Sequence, residues 1–344
     1  MNDWLIKSKD KFQEHILDFL WQQWGALGVA GVSSSNDTRI IDPEALLLFS
    51  LSACRYDPRL FDEIIDWLFL NGQFINVQRL QQIQKKYNFC SGPQLSAIAE
   101  LLASQSRYRL KWSGLSKKFY QEPVKPLFLG RDGAPLPCPS GENANIEFMR
   151  HGLRRGEVKL RGKSQFFDSH NPACLLLRLR ALLGINARAE IFCLLASLKE
   201  VHPTEAARKT AYYQKTIQTT LVEMAQSGVV QARTSRKVKF YKLKPDMLDT
   251  LLKSTGESVQ WINWPEFLKT VEVIWLKVSE LSTMTLDALL LTSELQKLMH
   301  SICEYNTGDD FEALIIDNCI SVDEFKKAFK ENLSLISARL IPEI

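Results

Sequence analysis

Residues 187–244 read ARAEIFCLLASLKEVHPTEAARKTAYYQKTIQTTLVEMAQSGVVQARTSRKVKFYKLK. Apolar side chains recur there at intervals of three and four residues, which is the period of a helix with one buried face. In the first helix these side chains are Ile191, Leu194, Leu195 and Leu198. Pro203 begins a short second helix to about Thr210, because proline is favoured in a first helical turn. After a brief turn at 211–213, the sequence predicts a third helix that buries Ile217, Leu221 and Met224.

The end of the same stretch predicts a β-hairpin. Gly228 stops the third helix in the manner of a C-cap glycine. The runs Val229–Arg233 and Val238–Lys244 mix β-branched or aromatic residues with basic ones, as strands do, and the polar residues 234–237 separate them. The predicted order is therefore helix, short helix, turn, longer helix and hairpin.

That order resembles the winged helix-turn-helix superfamily, and most of all the bacterial transcriptional regulators of the MarR and ArsR type. The resemblance is limited to residues 187–244. It rests on a small residue where two helices approach, the apolar face of the third helix, the glycine before the wing and two residues of the return strand: Ala207, Ile217, Leu221, Met224, Gly228, Tyr241 and Leu243. The sequence departs from the pattern at Ala211, where glycine is frequent, at Tyr213, where serine or threonine often caps the helix, and at the wing tip, which lacks glycine.

The resemblance implies sequence-specific binding of double-stranded DNA, as in a transcriptional regulator, through a recognition helix at about 213–227 and a basic wing at about 229–244. With the apolar face of the third helix buried, five polar side chains point outward and can reach bases or phosphates. They are Gln214, Lys215, Thr216, Gln218 and Thr219. Four cations line the hairpin, within reach of the DNA backbone or the adjacent minor groove: Arg233, Arg236, Lys237 and Lys239.

The positive charge of the chain is concentrated in the same region. Residues 203–244 hold 9 basic and 2 acidic side chains, and residues 150–202 hold 10 and 4. Residues 1–149 hold 16 of each sign and residues 245–344 hold 8 basic and 17 acidic, so the formal net charge is only +4. The basic middle indicates a polyanionic partner, for which nucleic acid is the first candidate. A solvated basic surface that pairs with the acidic C-terminal region fits the charges about as well.

The sequence predicts a mainly α, multidomain protein with a central winged helix-turn-helix that carries a small β-hairpin. We expect an N-terminal helical domain (1–110), a Pro/Gly-rich and then basic linker (111–170), the winged helix-turn-helix domain (171–250) and an acidic helical domain (251–344). Asp42-Pro43 and Asp57-Pro58 predict helix starts, and Asn71-Gly72 predicts a helix end. The helices around Asn71-Gly72 are also compatible with a second, degenerate helix-turn-helix with Arg79, Lys85 and Lys86 exposed, although the neutral charge of 1–149 favours a structural role.

Composition and cysteine use place the chain among soluble cytoplasmic proteins. No run reaches the roughly 18–20 apolar residues of a membrane-spanning helix, so we expect no membrane contact. The charged first twenty residues argue against a secretory signal. Seven cysteines, odd in number and widely spaced, predict reduced thiols. We expect a homodimer, because two half-sites multiply affinity and specificity.

The sequence offers no catalytic, metal or cofactor motif, because it contains neither a CxxC pair nor a nucleophile-and-base signature. Two other functions stay open. One is a protein-interaction module, such as the regulatory partner of a toxin or a defence assembly, in which the acidic region 245–344 binds a basic protein. The other is a metal-dependent enzyme acting on nucleic acid, in which Asp309 and Asp310 hold a divalent ion.

Overall fold

The computed structural model describes residues 3–31, 37–116, 123–139, 141–236, 238–247, 258–305 and 321–341. The protein is mainly helical, as the sequence predicts, and the described residues include two small two-stranded sheets. Among these residues, none of the helices combines the length and the apolar character that a bilayer-spanning segment needs.

The secondary structure follows the chain in a simple order. The α-helices are α1 Asp3–Ala26, α2 Pro43–Ala53, α3 Pro58–Asn71, α4 Val77–Tyr87, α5 Gly92–Gln105, α6 Arg109–Trp112, α7 Ile146–Met149, α8 Leu175–Leu183, α9 Ala187–Ser197, α10 Pro203–Thr210, α11 Gln214–Gln226, α12 Trp264–Thr283, α13 Ala288–Tyr305 and α14 Val322–Leu340. Short 3-10 turns lie at Cys54–Tyr56, Gly72–Phe74, Gly141–Asn143 and Pro172–Cys174. The strands are β1 Lys125–Pro126, β2 Leu153–Arg154, β3 Val230–Ser235 and β4 Val238–Leu243, with β1 parallel to β2 and β3 antiparallel to β4.

Side-chain caps explain where α2 and α3 begin. Asp42 accepts a hydrogen bond from the backbone N–H of Ala45 at 3.1 Å, and Asp57 accepts one from Leu60 at 3.0 Å. Each cap satisfies an amide that has no partner in the first turn, and proline occupies the start of both helices. Both predicted helix starts are therefore confirmed, as is the predicted end of α3 at Asn71.

The chain divides into two compact units. The first combines residues 1–21 with residues 266–344, and the second holds residues 22–265. The second unit contains α2 to α11 and both sheets. The boundaries expected near residues 110, 170 and 250 are changes of composition and charge that lie inside this second unit, and as domain boundaries they stay a prediction.

The segment 123–169, to which the sequence alone assigns no regular structure, is held to α3 by two ion pairs, Arg155 with Asp62 and Arg161 with Glu63, and through its backbone. The Asp66 carboxylate of α3 accepts hydrogen bonds from the amides of Gly162, Lys163 and Ser164 at 2.8, 3.1 and 3.1 Å. Burial alone would raise the pKa of Asp66, but these amides outweigh burial and hold the pKa below its ordinary value of 3.8. The carboxylate therefore remains ionised and anchors the segment.

A close backbone approach fixes the same segment at a second point. The Gln165 N–H donates to the Gly28 carbonyl at 2.8 Å, and the Asn71 side chain donates to the Gln165 carbonyl at 3.0 Å. Gly28 has a φ of +101°, and a Cβ at this position would stand 2.5 Å from the Gln165 oxygen. Only glycine fits here, because it tolerates both the positive φ and the contact.

A buried ion network joins the N-terminal helices of the second unit to α8 and α9. Arg79 of α4 donates to the two Asp42 oxygens at 2.7 and 2.5 Å and to Glu44 at 2.7 Å. Arg180 of α8 donates to the two Glu44 oxygens at 2.6 and 2.7 Å and to Glu190 of α9 at 2.5 Å. Each of these five residues is at most 2% exposed. Buried charges of this kind persist only when they are paired and hydrogen-bonded. The helices that carry the arginines must therefore pack against the residues that carry the carboxylates.

The burial of Arg79 shows that its predicted exposure on a second helix-turn-helix is wrong. Its guanidinium is needed inside, where it balances carboxylates and also donates to the Thr210 carbonyl at 2.8 Å. Burial alone would raise the pKa of Asp42, but the adjacent Arg79 holds it below its ordinary value of 3.8. The stabilisation from this pair is present above that ordinary value and is lost as the pH falls through the lowered pKa. Lys85 and Lys86 of the same helix are exposed, as predicted.

Replacing Arg180 with methionine should lower the free energy of unfolding by about 3–5 kcal/mol, because Glu190 would stay buried without its cation and Glu44 would keep only Arg79. Urea unfolding followed by circular dichroism measures the loss. Arg178 is the matched control, since it lies on the same helix, is only half-buried and donates to the Ser169 carbonyl at a long 3.4 Å. Arg178→Met should cost less than about 1 kcal/mol. Equal losses in the two variants would show that the network contributes little.

Candidate nucleic-acid interface

The candidate interface stands on a small apolar core shared by α9, α10, α11 and the β3–β4 hairpin. Ile217 and Leu221 of α11 are fully buried and Met224 is 5% exposed, which confirms the predicted inner face of this helix. They pack in one cluster with side chains of α8, α9 and β4, among them Leu176, Ile191, Leu194 and Tyr241. The core therefore fixes both the rotation of α11 and the position of the hairpin beside it.

The outer face of α11 is polar and open to solvent. The five side chains that the sequence assigned to this face are all exposed: Gln214, Lys215, Thr216, Gln218 and Thr219. Gln214 is partly engaged, because its side-chain amide donates to the hydroxyl of Thr204 on α10 at 3.0 Å. The Tyr213 side chain makes no cap hydrogen bond, so it does not compete for the amides of the first turn of α11. This end of the helix presents amide donors, one lysine and hydroxyl and amide side chains.

The turn that leads into α11 is held by α4. Arg79 donates to the Thr210 carbonyl at the end of α10, and the Asn76 side-chain amide donates to the Tyr212 hydroxyl at 2.7 Å. Ala211, which ends α10, has a φ of +56°, a left-handed conformation that glycine adopts at lower cost. The departure from glycine at this position therefore leaves the tight turn in place, and the buried network supports its geometry.

The hairpin is tighter than the sequence suggests. Thr234 and Ser235, which were expected in the turn, are strand residues that pair with Lys239 and Val238. Arg236 is exposed and has a φ of +46°, as the crossing between two adjacent strands requires. Lys237 lies outside the described residues. The exposed guanidinium of Arg236 therefore lies at the very tip of the hairpin.

The register of the hairpin separates the predicted basic residues onto two faces. Arg233 lies opposite Phe240, and Lys239 lies opposite Thr234. Since directly opposed residues share a face and neighbours alternate, Lys239 is on the face that buries Tyr241, whereas Arg233 is on the other face. Both are exposed. The four hairpin cations predicted as one line are therefore not a single row.

Arg233 already has an anionic partner. Its guanidinium donates to Glu200 at 2.7 Å and lies over the Phe240 ring, 5.5 Å from the ring centre. Glu200 is brought there by its neighbour Val201, which exchanges backbone hydrogen bonds with Tyr241 at 2.9 and 3.0 Å. Neither the pairing nor the backbone bridge that produces it follows from the local sequence pattern, because Glu200 and Arg233 are 33 residues apart. This salt bridge reduces the charge that Arg233 offers to a polyanion.

Acidic groups near the outer face of α11 are few and paired. Glu223, the first carboxylate along α11, accepts a hydrogen bond from Arg188 of α9 at 2.6 Å. Glu205 of α10 lies 3.9 Å from Lys209. Sequence reasoning missed Arg188, which neutralises Glu223, and also Lys242, which is exposed on the same hairpin face as Arg233. Lys242 could have been identified from the sequence as a further basic residue of the predicted hairpin, whereas the role of Arg188 depends on the packing of α9 against α11.

Comparison of the chain with protein-family models, with curated proteins and with solved structures finds no match.

The described part of the chain contains no group of three or more His, Cys, Asp or Glu side chains placed to hold a metal ion. Asp309 and Asp310, the two acids of the nuclease hypothesis, lie outside the described residues. His300, which lies nine residues before Asp309 on α13, has its Nδ1 atom 2.9 Å from the Gln296 carbonyl of its own helix. These observations give the enzyme hypothesis no further support.

Proposed function

We propose that residues 187–244 form a winged helix-turn-helix that binds duplex DNA in a sequence-specific manner, and that the protein is a transcriptional regulator. In this proposal α11 enters the major groove, and the hairpin with Arg236 at its tip contacts the backbone or the adjacent minor groove. The observation that carries it is the outer face of α11, where five polar or basic side chains are exposed together beside a basic hairpin.

The chemistry of that face fits DNA better than it fits a protein partner. Glutamine side chains can hydrogen-bond base edges, and threonine hydroxyls can meet bases or phosphates. The amides of the first turn favour phosphate, and no acidic residue precedes Glu223 on the helix. Apart from Val222, the exposed residues of α11 are polar or charged, so the helix lacks the apolar patch of a typical protein interface.

The proposal includes a homodimer, because a single helix and wing cover only one half-site. Two copies on half-sites about one helical turn apart would read a short palindrome. The acidic region 245–344 stays available in this proposal for a protein partner.

Charge reversal at the hairpin should weaken binding to every duplex. Binding weakens as salt rises, so the slope of log K against log salt is negative, and each phosphate contact adds about 0.9 to its magnitude. If Arg236 and Lys239 each contact one phosphate, Arg236→Glu with Lys239→Glu should reduce the magnitude of this slope by about 2. Fluorescence anisotropy across a salt series measures the slope. Lys297→Glu with Lys327→Glu, at exposed positions in the acidic region, changes the net charge equally and is the control. An unchanged slope in the hairpin variant would remove the hairpin from the interface.

Substitution on α11 should instead alter sequence preference. Gln218→Ala should remove about 1–3 kcal/mol of discrimination at one base pair, because a hydrogen-bonding side chain is lost from the groove. Selection of bound duplexes from a random pool at two salt concentrations measures the preference. Gln226→Ala, at the exposed far end of the same helix, should leave the preference unchanged. If Gln218→Ala weakened all duplexes equally, α11 would not be reading bases, and a wild-type pool without enrichment would remove the function itself.

Removing the partner of Arg233 should strengthen binding. In Glu200→Gln the Arg233 guanidinium loses its carboxylate partner and can turn to a phosphate. The magnitude of the slope of log K against log salt should then increase by about 0.9. The same substitution in an Arg233→Ala background should have a smaller effect, because no guanidinium is then released. A double-mutant cycle by anisotropy compares the two backgrounds. Equal gains would mean that the lost acid acts through the general field and not through Arg233.

A further inference from the structure

A second cationic surface lies beside the turn that leads into α11. A cavity of about 340 Å³ separates the end of α4 from the α10–α11 turn, and its walls include Gln82, Lys85, Lys86, Tyr212 and Tyr213. None of the residues that line it is acidic. Tyr213 is the N-cap residue of α11 and is 66% exposed, so the cavity opens next to the first turn of the proposed recognition helix.

The charged side chains of α4 and α10, the helices beside this cavity, are mostly basic. The sequence of α4, VQRLQQIQKKY, contains no acidic residue, and of its three cations only Arg79 is buried. Lys85 and Lys86 are both exposed in the last turn. α10 adds Arg208 and Lys209 at its own C-terminal end, and its single acid, Glu205, lies near Lys209. Of these cations, Lys85 and Lys86 line the cavity that also borders the start of α11.

The position of α4 is fixed by the buried ion network and by hydrogen bonds to the α10–α11 turn. Arg79 of α4 and its N-cap residue Asn76 donate hydrogen bonds to Thr210 and Tyr212, on either side of Ala211. A rigid connection of this kind keeps Lys85 and Lys86 at a constant position relative to α11.

We propose that Lys85 and Lys86 of α4 form a second site for the DNA phosphate backbone, continuous with the first turn of α11. The inference rests on the proposed function. Duplex DNA carries one negative charge per about 1.7 Å of its axis, so a backbone that flanks α11 continues past its first turn. Phosphate contacts of this kind set orientation and affinity but carry no sequence information. The N-terminal helices thus take part in binding although their overall charge is neutral.

The test compares Lys85→Ala with Lys86→Ala, made together in the full chain, against the wild type. The double variant should reduce the magnitude of the slope of log K against log salt by about 1–2. It should weaken binding to all duplexes alike and leave the selected DNA sequence unchanged. Lysines in a last helical turn also stabilise the helix, so thermal unfolding is measured in parallel. Lys85→Arg with Lys86→Arg should keep the wild-type slope, and Lys297→Ala with Lys327→Ala supplies a control for net charge.

Two results would overturn this inference while leaving the proposed function intact. One is a wild-type salt slope in the Lys85→Ala, Lys86→Ala variant while the hairpin variant loses slope. The other is a loss of affinity with no change of slope and a lower melting temperature, which would assign the lysines a purely structural role. If the wild-type protein bound no duplex at all, the proposed function itself would fail, and the two failures are therefore distinguishable.

Discussion

The arrangement of the second unit depends on two guanidinium groups that are removed from water. Arg79 and Arg180 are shared among Asp42, Glu44 and Glu190, and Glu44 touches both of them. The desolvation of five charges is expensive, and it is offset only when all of the hydrogen bonds form together. Helices from the first quarter of the chain and helices from its middle are thereby held in one arrangement. The proposed DNA-binding elements are in this sense part of a larger body and not an independent module.

The proposed interface follows from that arrangement step by step. The network fixes α4 against the end of α10, α4 holds the tight turn at Ala211, and the turn sets where α11 begins. The apolar core then orients α11 so that its polar side chains face outward. At the hairpin, the backbone bridge between Val201 and Tyr241 brings Glu200 next to Arg233, and the resulting salt bridge reduces the positive charge there. Local packing thus decides which basic side chains are available to a polyanion.

Much of this could be predicted from the sequence where the physics is local. Helical periodicity located the inner face of α11, and proline after an aspartate located the starts of α2 and α3, because these signals act within a few residues. The sequence could not show that Arg79 is buried, since its partners Asp42 and Glu44 lie more than 30 residues away and α4 alone looks amphipathic. The same applies to Glu200 with Arg233, and to the hairpin turn, where Thr234 and Ser235 are polar yet belong to a strand.

The way the segment 123–169 is attached to α3 has a consequence for how this protein tolerates change. Asp66 and Asn71 recognise main-chain groups of residues 162–165, and the main chain of Gly28 meets that of Gln165. Main-chain donors and acceptors are the same for almost every amino acid. Substitutions at the exposed Lys163 and Gln165 should therefore be accepted readily, whereas Gly162, with its φ of +62°, should not accept a side chain. Adding or deleting a single residue between Gly162 and Gln165 would misalign all of these bonds at once.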